Sequence, residues 1–217
     1  MRIEHSLQDV LKYENQSRQQ GFRLVVGIDE AGRGPLAGPV VAAAVALKEF
    51  EFDAAVRDSK KLSAAQRETA FHEIQNKAYV GIGMVGEAAI DSLNILEATF
   101  VAMTNAVWDM VGRLPQETRA DKDWKRQIQL LVDGNRFRTD LPFAFQTIVD
   151  GDVHSLSISC ASIIAKVTRD RILNTYHHIL PQYGFKQHKG YPTREHKLAI
   201  EKYGLSFIHR RTFRHAL

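Results

Sequence analysis

Five acidic residues in this sequence stand where phosphate chemistry is readily built. Asp29 and Glu30 follow the apolar run Leu24 to Ile28. Asp133 closes a second run, Ile128 to Val132, and Asp150 and Asp152 follow a third, Phe143 to Val149. Such runs read as strands, and strand ends are where α/β sheets gather ligand sites. Carboxylates that converge there repel one another unless a cation neutralises them. Hard divalent cations such as Mg2+ or Mn2+ prefer oxygen ligands of this kind. Two of them, roughly 3.5–4 Å apart, activate a water and stabilise the leaving oxygen in phosphodiester cleavage. Aspartate before glycine is also ordinary turn chemistry, so Asp133-Gly134 and Asp150-Gly151 each carry a second reading as turns.

Directly after Glu30 comes a glycine-rich stretch, Gly32-Arg33-Gly34-Pro35-Leu36-Ala37-Gly38-Pro39. A dinucleotide-binding reading fails on two counts. The glycine spacing is one residue too long, and the stretch leads into another strand rather than a helix. The glycines suit a backbone that a ligand approaches closely, or else a simple tight turn.

The elements that must hold these residues can be read from periodicity. Arg23 to Ile28, Val40 to Leu47, Tyr79 to Val85, Ile128 to Val132 and, more weakly, Phe143 to Val149 read as strands. A polar leading helix is expected from Ile3 to Gln20. Ser63-Ala64-Ala65-Gln66 is a capping box that opens a helix toward Gln75. Leu96, Phe100, Met103, Val107 and Met110 recur at helical spacing within an amphipathic helix over Ile95 to Val111. Pro115 to Lys125 reads as a charged loop, Ser155 to Leu180 as a long helix, and Thr193 to Tyr203 as a last helix behind Pro192. That order predicts an α/β domain with a mixed central sheet flanked by helices.

Bulk properties narrow the class. A chain of 217 residues with 44% hydrophobic and 25% charged content is an ordinary globule, not a disordered segment. The longest apolar run, Val40 to Leu47, is far too short to span a bilayer, and the N-terminus has no signal-peptide core. The single cysteine, Cys160, excludes an internal disulfide and reads as a small buried residue. A cytoplasmic location is expected, with no membrane contact. Net charge is +4, yet residues 186–217 alone hold eight Lys/Arg against two acids. A basic end on a slightly acidic body fits a polyanion partner, although a merely solvated tail would look the same.

Here the sequence resembles a known family. Asp29-Glu30-Ala31-Gly32-Arg33-Gly34-Pro35-Leu36-Ala37-Gly38-Pro39-Val40 is similar to the signature of ribonuclease HII, the type 2 ribonuclease H. Asp58-Ser59-Lys60-Lys61-Leu62-Ser63, Asn94-Ile95-Leu96-Glu97-Ala98-Thr99 and Leu131-Val132-Asp133-Gly134 resemble further family segments. So do the helix Ser157 to Asp170 and the C-terminal motifs His188 to Thr193 and Ile208 to Phe213. The seven motifs keep their order from about Leu24 to Phe213.

The resemblance implies an RNase H-like fold with a small C-terminal helical extension. Residues 1–22 would be an N-terminal helical segment and 23–185 the catalytic domain. Residues 186–217 would be a basic helical segment that completes the substrate site. The implied activity is cleavage of the RNA strand of RNA–DNA hybrids and nicking 5′ of ribonucleotides embedded in duplex DNA. Such nicking would serve ribonucleotide removal in DNA repair and replication, and would leave a 3′-hydroxyl and a 5′-phosphate. The implied metal ligands are Asp29, Glu30, Asp133 and Asp152, which would hold two Mg2+ or Mn2+ ions. Asp152 follows from counting back seven residues from Ser159. Asp150 stands where the family pattern has lysine, and it competes for that fourth place.

The resemblance further implies that Gly32, Arg33 and Gly34 approach the ribose whose 2′-hydroxyl marks RNA. Tyr191 would read the following deoxynucleotide. Lys60, Lys61, Lys166 and Lys189 are candidate phosphate contacts, which position a duplex without specifying it. Lys166 has an equal claim as a structural ion-pair partner. Ser162 is expected to line the site, Arg169 and Asp170 to form a structural pair, and His154, His177 and His178 to be ordinary helix or surface residues. A monomer is expected. Type 3 ribonuclease H is the nearest alternative. It carries an additional N-terminal domain, for which the residues before Asp29 are too few. A non-catalytic duplex-binding module is the other, and the intact acids argue against it because bare carboxylates weaken phosphate binding.

Overall fold

Val40–Leu47 (β2) is apolar throughout, which suits a strand covered on both faces, and its alanines leave room for helices to approach. The chain is described by a computed structural model covering residues 7–54, 56 and 62–214, with the side chains of Leu7 and Gln8 left out. Asp58, Ser59, Lys60, Lys61 and the expected helix start at Ile3 lie outside the described residues.

Five strands form one mixed sheet. They are β1 (Leu24–Ala31), β2, β3 (Ala78–Val85), β4 (Ile128–Asp133) and β5 (Ala144–Ile148), in the spatial order β3-β2-β1-β4-β5. β2 runs antiparallel to both β1 and β3, whereas β1, β4 and β5 run parallel. Parallel neighbours need crossovers: the one from β1 to β4 contains helices, whereas residues 134–143 join β4 to β5 without one.

On the N-terminal side, α1 (Leu7–Val10) and α2 (Lys12–Gln19) precede the sheet. α3 (Ala64–Lys77) opens on the expected capping box: the Ser63 hydroxyl accepts from the Gln66 N–H, and Gln66 reaches back to the Ser63 N–H. α4 (Glu87–Leu93) follows β3. Ile90 is its one buried side chain, too little to give the sequence a periodic signal. α5 (Ile95–Gly112) starts at Asn94, whose side chain accepts from the Leu96 and Glu97 N–H groups.

The expected loop from Pro115 to Lys125 instead contains a short helix, α6 (Gln116–Ala120), and leads into a 3-10 turn, Trp124–Gln127. α6 buries none of its side chains, so its sequence carries no apolar period. Beyond β5 come α7 (Gly151–His154), the long α8 (Leu156–Ile179), a 3-10 turn (Pro181–Tyr183), α9 (Phe185–His188) and α10 (Arg194–Tyr203). Among the described residues, no helix is long and apolar enough to cross a membrane.

The two sheet faces build two cores. Ala42, Ala44 and Ala46 of β2 join Val26, Ile28, Leu130 and Val132 against α5. Ala43 and Val45 join Phe71, Ile74, Ala161 and Ala165 of α3 and α8 on the opposite face. α2 is tied to the start of α8 by a buried carboxylate: Glu14 Oε1 accepts from Ser155 Oγ at 2.6 Å, the Ser157 N–H at 2.9 Å and Ser157 Oγ at 2.8 Å. Cys160 is fully buried in the α8 core, and burial pushes its thiol pKa well up.

α8 can approach β1 this closely because position 27 has no side chain. A Cβ at Gly27 would lie 2.1 Å from the Ser157 carbonyl carbon and 2.3 Å from the Ile158 nitrogen. Both obstacles are backbone, so only a shift of the helix could relieve the clash. We therefore expect Gly27→Ala to destabilise the protein by about 2 kcal/mol or more, the upper range for overpacking a well-filled core. Urea denaturation followed by circular dichroism measures this, and a midpoint within error of the parent would contradict the packing account.

Candidate active site

β1 and β4 are neighbours in parallel register, with Ile28 opposite Val132. Asp29 and Asp133 are therefore the next residues on two adjacent strands, which brings together acids separated by about half the chain. Asp29 lies on the same strand face as Gly27, toward α8. There the Ser162 hydroxyl hydrogen-bonds to its carboxylate, and its Oδ1 also accepts from the Glu30 N–H at 2.7 Å. Asp29 is only 6% exposed. Burial, and then the negative charges of Glu30 and Asp133, hold its pKa well above the usual carboxylate range.

Burial also raises the Glu30 pKa, opposed by Arg33, whose guanidinium donates to Glu30 Oε1 at 3.1 Å. Asp133 Oδ1 accepts from the Gly151 N–H at 2.7 Å. That bond ties the end of β4 to the start of α7, where Asp152 follows. The two competitors for the fourth place differ sharply: Asp152 is buried, whereas Asp150 is exposed with a left-handed backbone, φ 53°. Among the described residues, no three Asp, Glu, His or Cys side chains stand close enough to form a finished cage for one ion. The acids feel one another's charge while backbone N–H groups, Ser162 and Arg33 hold them.

Two buried arginines shape the glycine loop. Arg210 donates through Nη2 to the Gly32 carbonyl at 2.5 Å, through Nη1 to Arg33 at 3.0 Å and Pro35 at 2.8 Å, and through Nε to Gly38 at 2.9 Å. Arg169 of α8 donates to the carbonyls of Ala37 at 2.9 Å, Pro39 at 3.0 Å and Lys189 at 2.9 Å. Burial lowers both guanidinium pKa values to about 10. The expected Arg169–Asp170 pair is thus corrected: Asp170 pairs with Lys166 at 2.7 Å, and Arg169 serves the loop.

Beside the acids lies an open cleft of about 460 Å³, lined by Glu30, Gly32 to Gly34, Ser162, Lys166, Tyr191 and Arg67. Most of the expected substrate residues therefore share one surface. The glycines earn their places differently. Gly32 has φ +102°, and a Cβ there would lie 2.2 Å from Arg169 Nε, so its constraint comes from within the protein. A Cβ at Gly34 would meet only Tyr191 Cε1 at 3.7 Å, an ordinary contact that leaves the position open toward the cleft.

Of the candidate lysines, the two that are described, Lys166 and Lys189, have partners within the protein. The Lys166 ammonium is taken by Asp170, and Lys189 Nζ donates to Asn174 Oδ1 at 2.7 Å and to the Lys186 carbonyl at 2.6 Å. Arg67, on α3, was not anticipated; a lone arginine on a polar helix face carries no sequence signal.

The chain matches the family model for ribonuclease HII over residues 26–216. The chain belongs to the ribonuclease HII family. A ribonuclease HII from Syntrophus aciditrophicus is 48% identical over 203 residues, covering 93% of this chain and 89% of that protein. The crystal structure of ribonuclease H2 from Pyrococcus horikoshii OT3 matches with a TM-score of 0.63 at 28% identity, over 89% of this chain and 95% of the other. A Bst ribonuclease HIII, solved in complex with Mn2+, matches with a TM-score of 0.65 at 14% identity, over 92% of this chain and 70% of that one. The expected α/β fold of the ribonuclease H type is borne out. Family membership makes the chain a ribonuclease H, an endoribonuclease acting on RNA–DNA hybrids.

The raised Asp29 pKa carries a stability consequence. A carboxyl whose folded pKa lies above its unfolded value contributes stability that is fully present below the unfolded pKa. That contribution is lost as pH rises through the folded pKa. At neutral pH the buried charge therefore costs stability. In chelator, Asp29→Asn should be more stable than the parent at pH 7, by on the order of 1 kcal/mol, with the gap closing as pH falls toward 4. Thermal unfolding across that range tests the sign, and a less stable variant at pH 7 would refute the electrostatic account.

Proposed function

We propose that this chain nicks duplex DNA on the 5′ side of an embedded ribonucleotide, besides cutting the RNA strand of hybrids, and leaves a 3′-hydroxyl and a 5′-phosphate. The observation that carries this reading is the juxtaposition of Asp29 and Asp133 on the neighbouring parallel strands β1 and β4, with Glu30 lining a cleft that also contains Gly34 and Tyr191.

The donor set fits hard divalent cations. Asp29 and Glu30 are held toward the protonated form by burial and neighbouring negative charge, which is what a site short of positive charge looks like. All the donors are oxygens, the preference of Mg2+ and Mn2+, and a structural neighbour of the same fold was solved with Mn2+. Asp29, Glu30, Asp133 and Asp152 would hold two such ions. Bound there, the ions supply a more acidic attacking water and relief of charge on the scissile phosphate.

The remaining work falls to the chain itself. Ser162 keeps the Asp29 carboxylate oriented by donating to it. Arg33 is about half exposed beside Glu30, so it can contact the nucleic-acid backbone from the cleft rim. The open Gly34 backbone lets a ribose come close enough for its 2′-hydroxyl to be sensed. Tyr191 stands on the same rim and reads the deoxynucleotide that follows. From the basic segment 186–217, Tyr191 lines this surface and the buried Arg210 holds the glycine loop from behind. The same reading keeps the chain in the cytoplasm as a monomer.

The decisive assay is a labelled DNA duplex containing one ribonucleotide, incubated with Mg2+ or Mn2+. A single nick 5′ of the ribonucleotide with a 3′-hydroxyl end is expected, and failure to nick with either ion overturns the reading. Asp133→Asn should lower the rate by more than about a hundredfold, beyond the loss typical of outer partners of a metal site, while the circular dichroism spectrum stays native. Asp152→Asn should cost far more activity than Asp150→Asn, in line with their burial; the reverse order would make Asp150 the fourth ligand.

A further inference from the structure

Three histidines beneath Tyr191 form a group that the catalytic reading leaves unused. His196 and His209 are buried, at 0% and 3% exposure, and His188 stacks on His196 with ring centroids 4.3 Å apart and planes 15° from parallel. Tyr183 and Phe185 close the pocket around His209 and His196, with ring centroids 5.0 to 5.7 Å away.

Two backbone N–H groups orient the hydrogen bonds in this group. The Ser206 N–H can only donate, and it points at His209 Nδ1 at 2.9 Å. His209 in its neutral form therefore carries its proton on Nε2 and donates it to His196 Nε2 at 3.1 Å. His196 must then carry its own proton on Nδ1, which donates to the Tyr191 carbonyl at 2.9 Å. The same logic fixes His188: its Nδ1 accepts from the Gly190 N–H at 3.1 Å, so its Nε2 donates to the Tyr183 carbonyl at 2.7 Å. One tautomer pattern satisfies these bonds together, with the Ser206 hydroxyl also 2.7 Å from His209 Nδ1.

The chain from Ser206 through His209 and His196 ends on the backbone of a single cleft residue. The Tyr191 N–H donates to the His188 carbonyl at 2.9 Å, and the Tyr191 carbonyl also accepts from Thr193 at 2.8 Å. Next to it, the Gly190 carbonyl accepts from the Leu36 N–H at 2.8 Å, which joins this support to the glycine loop. The Tyr191 ring itself is 44% exposed. A half-exposed aromatic with its backbone held on both sides is a preorganised contact, whose benefit is lost when the support loosens.

We propose that His196 and His209 are positioning residues for Tyr191, and that they set the preference for a ribonucleotide followed by DNA over a continuous RNA–DNA hybrid. The inference rests on the junction-reading role given to Tyr191 above. Both histidines are buried, so they act through the tyrosine, holding it where it meets the deoxynucleotide that follows the ribonucleotide.

The test compares kcat/KM on a duplex with one embedded ribonucleotide to kcat/KM on a uniform hybrid, so that each variant carries its own reference. His196→Phe keeps a ring to stack on His188 and loses the donor, whereas His196→Asn retains an N–H at the Nδ1 position. We expect His196→Phe to lower the ratio by about tenfold to a hundredfold, the range that a misplacement of about 1 Å produces, and His196→Asn to restore most of it. His209→Leu, one step further from the cleft, should lower the ratio in the same direction and serves if His196→Phe does not fold. Tyr191→Ala separates the two levels of the argument. If it lowers the ratio while His196→Phe and His209→Leu do not, the positioning role is wrong and the junction reading stands. If Tyr191→Ala leaves the ratio unchanged, the junction reading falls and the positioning role with it.

Discussion

The site depends on two buried positive charges that, among the described residues, have only backbone carbonyls in their hydrogen-bonding shell. Arg169 and Arg210 place their guanidinium donors on the carbonyls of Gly32, Arg33, Pro35, Ala37, Gly38 and Pro39. A stretch this rich in glycine and proline has no regular hydrogen-bond ladder, and unpaired buried carbonyls are costly. The arginines supply the missing donors, and their fork-shaped geometry fixes the spacing between the carbonyls they bridge. Burial lowers both guanidinium pKa values only to about 10, so the loop keeps its charges at physiological pH.

That constraint links distant parts of the chain. Arg169 comes from the middle of α8, and Arg210 arrives after α10. The return of the C-terminal segment is secured by Asp91 of α4, which accepts from the Arg211 and Thr212 N–H groups at 2.8 and 2.9 Å. The segment beyond residue 186 thus helps to build the catalytic loop as well as bearing basic charge. Its arginine at 210 works inward, on the protein's own backbone.

Much of this was legible from the sequence because strong local signals coincide with global need. β2 is apolar at all eight positions, and Ser63 with Gln66 forms a complete capping box. The acids at positions 29 and 133 could be placed at strand ends from the apolar runs before them. Their adjacency could not be derived from those runs, because it depends on β1 and β4 being parallel neighbours, and strand order leaves no trace in periodicity. The same limit hid the partners of Arg169. Asp170 beside it in sequence invites a pair, yet successive helical residues point apart by about 100°, and the i,i+4 partner Lys166 takes that acid. Helices that bury one side chain or none, α4 and α6, gave no period to detect.

The length of α8 has its own consequence. One uninterrupted helix of 24 residues carries the backbone that abuts Gly27, the Ser162 hydroxyl at Asp29, Arg169 under the glycine loop and Leu173 against Gly38. These stations are read off a single rigid screw, so their relative azimuth is set by residue count alone. Deleting one residue between Ser162 and Arg169 would swing one station by about 100° and slide it by about 1.5 Å relative to the other. The constraint falls on the number of residues between those two points rather than on the side chains that face solvent.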